Sequence, residues 1–513
     1  MSPSIIISPQ LLEDLGLLKV MEACHCRSPQ GNKLKQSVQF FGNADRQALD
    51  EELTGIQRLL CLLRMEHPEV SEAQTQLSRL RELRGTLNRL DKAGLLNDTE
   101  FFELKSALRI FERLGGLTNL LKAAGVEIAD TRGAAELLDP AHTGSPAFHV
   151  YSQYSPKLEE IREQKKTLEK AIRQATGAQR KTLLTQRALI TAQESKEEDA
   201  VRRDLGEKLA KWLPQLQHNT NACGILDFRL AKAVLADRWQ GCLPTLAPCH
   251  EPAILTNAVH PIIADRLEKQ DLSFTPISIE LHEGATVLSG ANMGGKSVAL
   301  KTVFLALLMT QLGYFPICEA LQTPLYNFFA FESSYEGDLH RGLSSFGLEA
   351  VQIRNHYRKS QTSQGLILMD EPCRGTNPSE ATAIVQALCN TYGKSDSTFF
   401  IATHYRVHPE PGIRFYQVRG IDPQALEELP AYLEAPRKAE DQISSPLHGL
   451  SGLSFDYLHE DLTRVSRIQK MMDYCLEALD GIHQTPSSAI KIAELLGVDD
   501  ALLREMKAAR QEE

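Results

Sequence analysis

Aromatic residues are scarce: they make up 6 % of the 513 residues, and only two of them are Trp. No apolar run reaches the roughly 18 residues needed to span a bilayer as a helix, so no membrane span is expected. Met1 to Pro9 carry no charged start followed by a long apolar stretch, so no secretory signal is expected either. Ten cysteines over this length do not form a disulfide framework, and the cytoplasm is the expected compartment. Positive charge is not in excess. The 56 basic and 66 acidic side chains give a formal charge of −10, which argues against a protein that coats nucleic acid. No internal repeat or low-complexity tract stands out. What is plentiful is hydrophobic residue, at 42 %, enough to bury a sizeable core and to exclude a mainly disordered chain. At roughly 150 residues per domain the length suggests about three domains.

The first half is rich in Leu, Ala, Glu, Lys, Arg and Gln, which favour helix. Leu11, Leu12, Leu15, Leu17 and Leu18 open a first helix, and Arg46–Arg64, Val70–Leu90 and Thr99–Leu114 carry apolar residues at helical spacing. Ser28-Pro29-Gln30-Gly31, Gly115-Gly116 and the stretch 140–146 read as turns. Ser155-Pro156 is a helix start signal, with Pro in the first turn. Leu158, Ile161, Leu168 and Ile172 form one stripe. After Gly177 a second stripe runs through Leu183, Leu184, Leu189, Ile190 and Val201. This pattern predicts an antiparallel helical hairpin over about 155–213, an arm about 30 Å long at 1.5 Å per residue. From Lys157 to Arg187 it holds nine Lys/Arg and four Asp/Glu, a net +5. Such a run is either a solvated helix face or a contact surface for an acidic partner.

From about residue 250 the texture changes. Strand-like runs at Thr286–Leu288, Gly365–Met369 and Thr398–Ala402 alternate with helices, which implies a parallel sheet wrapped by helices. Gly290-Ala291-Asn292-Met293-Gly294-Gly295-Lys296-Ser297 matches the P-loop pattern and sits between a strand and the apolar helix Val298–Leu312, the context that motif requires. The glycines let backbone N–H groups turn toward phosphates, Lys296 supplies charge, and the Ser297 hydroxyl is a magnesium ligand. Asp370 follows 74 residues after Lys296, at the end of the apolar run Leu366–Met369, with Glu371 beside it. That pair predicts a carboxylate for a magnesium-bound water and a carboxylate to polarise the attacking water in phosphoryl transfer. Thr403-His404 closes the next strand, where a His can reach the γ-phosphate or the water.

Together these motifs resemble the MutS family of ABC-class ATPases: Asn292-Met293-Gly294-Gly295-Lys296-Ser297, Asp370-Glu371, Arg374-Gly375-Thr376 and Ala402-Thr403-His404-Tyr405. Gly342-Leu343-Ser344-Ser345-Phe346-Gly347-Leu348-Glu349 looks like that family's signature segment. His260-Pro261 and Phe274 stand where the family has a His-Pro pair and an adenine-stacking aromatic. Ala489–Val498 looks like its closing helix-turn-helix. The resemblance implies α + α/β architecture. A MutS-like helical core and lever domain (1–245) would be followed by a P-loop ABC-type ATPase domain (246–435) and a C-terminal helical dimerisation segment (436–513). It implies a homodimer with two composite sites for ATP and magnesium. Lys296, Ser297, Asp370, Glu371 and His404 would act in cis, and Ser344 and Ser345 would be supplied in trans.

The departures narrow the function. Ala291 replaces the usual Pro, and Val298 the usual Thr. Pro372-Cys373 and Asn377-Pro378-Ser379-Glu380 differ from mismatch-repair members. No room is expected for the family's mismatch-reading domain, clamp or nuclease domain, and an extra helix is expected over Arg464–Leu479. The leading expectation is an ATP-driven conformational switch whose levers remodel a client protein. It resembles the trimmed MutS-like ATPases proposed to reactivate adenosylcobalamin-dependent aminomutases such as lysine 5,6-aminomutase. The alternative is a DNA-structure-binding ATPase of repair or recombination, using the basic arm. A transporter subunit would need the Leu-Ser-Gly-Gly-Gln signature, which is absent. Cys24-His25-Cys26 and Cys242 with Cys249-His250 lack a standard zinc spacing and read as incidental thiols.

Overall fold

The computed structural model describes residues 4–7, 9–145, 147–270, 272–290, 295–333, 345–421, 472–479 and 498–511. Two compact units emerge: Met1–Ala23 with Gln39–Leu53 and Arg238–Glu513, and Cys24–Val38 with Thr54–Asp237.

The first unit carries the sheets. Its strands are β1 (Ser4–Ile6), β2 (Thr245–Leu246), β3 (Ala253–Ala258), β4 (Ile277–Leu281), β5 (Gly284–Ser289), β6 (Ala320–Thr323), β7 (Phe328–Ser333), β8 (Gly365–Asp370), β9 (Thr398–Ala402), β10 (Ile413–Ile421) and β11 (Met472–Leu479). The main sheet has the order β1-β7-β8-β9-β5-β10-β11, parallel except for the β10–β11 pair. A smaller sheet has the order β2-β6-β3-β4. All six residues of β5 are buried, as are five of six in β8, because helices cover both faces. On one face Val287, Ile367, Met369, Phe399 and Ile401 pack with Val385, Leu388, Cys389 and Tyr392 of the helix Pro378–Tyr392. On the other lies the helix Lys296–Gln311, buried almost all round, with Phe304 set edge-on to Phe329 and Phe331. The three strands and the helix expected here from the sequence are all present.

One expectation for this unit is corrected, the helix over Arg464–Leu479. Residues 1–23 and 39–53 group with the sheets. The cause is tertiary pairing. Ser4–Ile6 runs parallel to Phe328–Ala330, the Phe41 amide donates to the Gln311 carbonyl at 2.8 Å, and the Arg46 guanidinium donates to the Ala247 carbonyl at 2.7 Å. The extra helix expected over Arg464–Leu479 is, in its described part Met472–Leu479, a strand on the sheet edge. Helix does return at Asp500–Gln511. The segment Ala489–Val498, apart from its last residue, lies outside the described residues.

The second unit is helical. Pro68–Arg79 and Arg84–Asp91 replace the single helix expected over Val70–Leu90; the break turns Leu80 and Leu83 inward. Asp98–Gly115 begins with a full capping box, Asn97 and Glu100 each accepting from the other's amide. Ser28-Pro29, expected as a turn, instead caps the helix Pro29–Gln36, with the Ser28 hydroxyl accepting from the Gly31 amide at 3.0 Å.

The hairpin forms as expected from Pro156–Gln174 and Gly177–Ala210, with the Ser155 hydroxyl accepting from the Leu158 amide at 3.3 Å. Its second apolar stripe does not become a core. Val201 is buried, while Leu184 and Leu189 are 48 % and 63 % exposed. Two helices lying side by side have no third layer to enclose such residues. Ion pairs hold the arm together instead: Lys157–Glu197, Arg162–Glu194, Arg162–Glu198, Lys165–Glu194 and Arg187–Glu169.

Candidate active site

The strand order β8-β9-β5 brings three chain segments to one edge of the main sheet, outside the carboxyl ends of parallel strands, where α/β folds bind ligands. Gly290 leaves β5, Asp370 and Glu371 leave β8, and Thr403 and His404 leave β9 between them. Gly295, with φ +78°, caps the helix Lys296–Gln311 in a left-handed conformation that favours glycine. Ala291, Asn292, Met293 and Gly294 lie outside the described residues.

Lys296 is only 4 % exposed. Its ammonium donates to the Gly290 carbonyl at 2.9 Å and stands 3.7 Å from Glu371 Oε1. Burial lowers its pKa, and the charges of Glu371 and Asp370 oppose that shift. Glu371 takes a left-handed φ of +49°, its amide donates to the Ala402 carbonyl at 2.9 Å, and its Oε2 meets Arg374 Nε at 3.0 Å. A non-glycine residue in that region stores strain, which here aims the carboxylate back at Lys296.

Asp370 is pushed upward in pKa by burial, with the Ser297 side chain within hydrogen-bonding reach and countering the shift. Its Oδ1 is buried and has no hydrogen-bond partner. A buried carboxylate oxygen without a donor, beside a hydroxyl, is a donor set suited to a hard cation such as magnesium. His404 has its pKa lowered by burial first, with Glu371 raising it and Lys296 and Arg374 lowering it, so its ring is neutral at pH 7. It packs on Tyr405 at 4.1 Å between ring centroids. The Thr403 amide donates to the Leu288 carbonyl at 3.1 Å, which ties this strand end to β5.

Of the residues singled out from the sequence, Lys296, Ser297, Asp370, Glu371 and His404 therefore come together. Phe274 is half-buried in the loop before β4 and makes no ring contact among the described residues. His260 caps the helix Pro261–Glu268 and is buried, its pKa lowered to about 4 by burial. Ser344 lies outside the described residues, and Ser345 opens the helix Ser345–Ser360.

Sequence reasoning missed several groups here. Glu349, on the helix Ser345–Ser360, accepts from the Cys373 amide at 2.7 Å, so this helix grips the turn after β8. Glu332, the penultimate residue of β7, has its pKa raised to about 7, mainly by burial and further by Glu349. Tyr474 on β11 lies over Gly295. The alternation Met472, Tyr474, Leu476, Ala478 was a strand signal available for the last of these. No group of three or more His, Cys, Asp or Glu able to hold a metal occurs among the described residues. No helix among them is long and apolar enough to cross a membrane.

Residues 286–428 match the family model for MutS domain V. Over 227 residues the chain is 30 % identical to Endonuclease MutS2 of Listeria innocua, covering 44 % of this chain and 28 % of that protein. It is 29 % identical over 213 residues to Endonuclease MutS2 of Lactiplantibacillus plantarum, covering 41 % and 26 %. It is 23 % identical over 312 residues to DNA mismatch repair protein MutS of Carboxydothermus hydrogenoformans, covering 58 % and 36 %. The match spans less than a third of the length of the two MutS2 proteins.

Proposed function

We propose that the chain is a MutS-like ATPase that acts as a homodimeric switch, and that the basic tip of its hairpin arm contacts DNA. The observation that supports the first part is the convergence of buried Lys296 with Ser297, Asp370 and Glu371 at neighbouring strand ends. In this reading Lys296 exchanges the Gly290 carbonyl and Glu371 for the phosphates of ATP. Ser297 and Asp370 would hold magnesium, which supplies neutralisation of developing phosphate charge. Glu371, released from Lys296, orients the attacking water, and neutral His404 accepts a hydrogen bond at the same edge. By resemblance, Phe274 stacks on adenine, Gly290 to Gly295 cradle phosphate, and Ser344 and Ser345 reach the partner's nucleotide. Residues 1–245, 246–435 and 436–513 would then serve as core and lever, motor and dimer closure.

Charge favours DNA as what the arm meets. From Lys170 to Gln193 the chain holds five Lys/Arg and no Asp/Glu. Lys170, Arg173, Arg180 and Lys181 have no carboxylate partner among the described residues, whereas Lys157, Arg162, Lys165 and Arg187 are paired. A cluster of unpaired cations at a helical turn suits a phosphate backbone. The names of the relatives, an endonuclease and a DNA mismatch repair protein, point the same way. Remodelling of a client protein, such as reactivation of a cobalamin-dependent aminomutase, has no comparable support among the described residues.

The test measures binding of the full chain to duplex and branched DNA across salt concentrations. Four tip contacts give a log–log slope of about −3 to −4, and reversing these four charges should abolish it. Salt-insensitive or absent binding would remove the DNA reading, and protein captured by a Glu371→Gln trap after nuclease treatment would restore the client. A chain that neither binds nor hydrolyses ATP would remove the motor.

A further inference from the structure

The phosphate loop is anchored at both ends by the antiparallel strand pair β10–β11 at the sheet edge. Gly290, at φ +138°, is so close to β10 that a Cβ there would stand 3.2 Å from Val418 Cβ. At the other end, a Cβ on Gly295 would stand 2.7 Å from Tyr474 Cδ1 and 3.3 Å from its Cε1. The Tyr474 ring therefore lies directly on the residue that caps the helix Lys296–Gln311.

The register explains how a strand-edge tyrosine comes to point there. Val418 pairs with Leu476, but Gly420 pairs with Asp473. Tyr474 and Cys475 thus both oppose the single residue Arg419, which makes a β-bulge on β11. Bulges bend a strand and re-aim a side chain, often beside active sites. Gly420, at φ +78°, accommodates the bend from β10, and the Cys475 amide closes it on Asp473 Oδ1 at 2.9 Å. Arg419 pairs with Asp473 and Glu477 on the same strand. The ring is part-buried, and burial raises the pKa of its hydroxyl.

We propose that Tyr474 is a positioning residue for the phosphate loop, its ring clamping Gly295 in the left-handed conformation that aims the amides of Lys296 and Ser297 into the site. The proposal deepens the nucleotide reading and rests on it for its effect on ATP. Glycine alone places no limit on its own backbone, so a loop that must hold N–H groups toward phosphate needs an outside constraint. A flat ring across Gly295 supplies one, and it needs the ring rather than the hydroxyl. It also makes the strand from the C-terminal part of the chain a component of the nucleotide pocket.

The experiment compares Tyr474→Ala, Tyr474→Leu and Tyr474→Phe in the full chain. In nucleotide-free protein, amide exchange of the peptide covering Gly290–Ser297 should quicken about fivefold or more in Tyr474→Ala and Tyr474→Leu, and stay near wild type in Tyr474→Phe. The Kd for MgADP and the KM for ATP should rise about tenfold in the first two, with kcat changed less than about threefold. Exchange unchanged in both non-aromatic variants would overturn the proposal, as would a loss in Tyr474→Phe equal to that in Tyr474→Ala. Wild-type protein that binds no MgADP would sink the nucleotide reading alone, because the exchange comparison still judges the clamp.

Discussion

Lys296 Nζ stands 3.7 Å from Glu371 Oε1, and the other oxygen of that carboxylate is held at 3.0 Å by Arg374. The residue expected to polarise water and the residue expected to bind phosphate thus neutralise each other within a buried pocket. Glu371→Gln removes the charge and keeps the shape. Turnover is expected to fall about 100-fold or more while MgADP binding persists, because a water-orienting group acts mainly in the transition state. Lys296→Ala should lose both. Phosphate release and calorimetry separate the two variants, and undiminished turnover in Glu371→Gln would contradict the assignment.

Glu332 gives a pH dependence with a definite sign. Its carboxyl is raised to about 7 in the folded chain, first by burial and then by the Glu349 charge, against 4.5 unperturbed. The folded state therefore favours the protonated form. That contribution to stability is complete below pH 4.5 and is lost as pH rises through about 7. Glu332→Gln removes the loss, so it should stabilise at pH 8 by at most about 3 kcal/mol and have little effect at pH 4. Urea denaturation at the two pH values checks this; equal effects at both would refute it.

In the helical unit Asp227, which is 2 % exposed, is a buried polar anchor. Its carboxylate accepts from the Arg27 amide at 3.0 Å, the Ser28 amide at 2.7 Å and the Ser28 hydroxyl at 2.6 Å. Asp227→Ala would leave three donors unpaired and weaken the cap of the helix Pro29–Gln36. A loss of about 3 kcal/mol is expected, and a smaller one for Asp227→Asn. Gly31→Ala should be similarly harmful, since its Cβ would fall 2.3 Å from Asp227 Oδ2.

Cys242 and Cys318 face each other with their sulfurs 3.2 Å apart. The Cys318 thiol lowers the pKa of Cys242, favouring the thiolate that initiates exchange. The Cys242 amide also donates to the Pro316 carbonyl at 3.0 Å, so the two segments are already aligned. Diamide, reduced to its hydrazine, should take two electrons and two protons from the pair and form one bridge. The mass falls by about two daltons, and the unfolding temperature rises because a loop of about 75 residues is closed. Cys242→Ser should show neither change; a bridge found elsewhere would contradict the pairing.

The strand β5, the helix start at Lys296, the place of Asp370 and Glu371 at the end of β8 and the arm's turn at Gly177 were legible because each is local: a strand, a few residues and a helix start fix the geometry. β11 was ambiguous. The alternation of Met472, Tyr474, Leu476 and Ala478 signals a strand, but Met, Leu, Glu and Ala favour helix, and pairing with β10 decides between them. β1 is three residues long and owes its existence to β7. The arm's second stripe predicts the helix but not its burial. Periodicity reports which residues share a face, not whether a third layer exists to cover it, and at Leu184 and Leu189 none does.

The strand Ser4–Ile6 finds its partner at Phe328–Ala330, more than 300 residues later in the chain. On a ribosome it must wait while the stretch Thr54–Asp237 of the other unit emerges and can already fold from near-neighbour contacts. This edge of the sheet therefore closes only after a long stretch of chain has been made, with β1 joined to β7 across more than 300 residues.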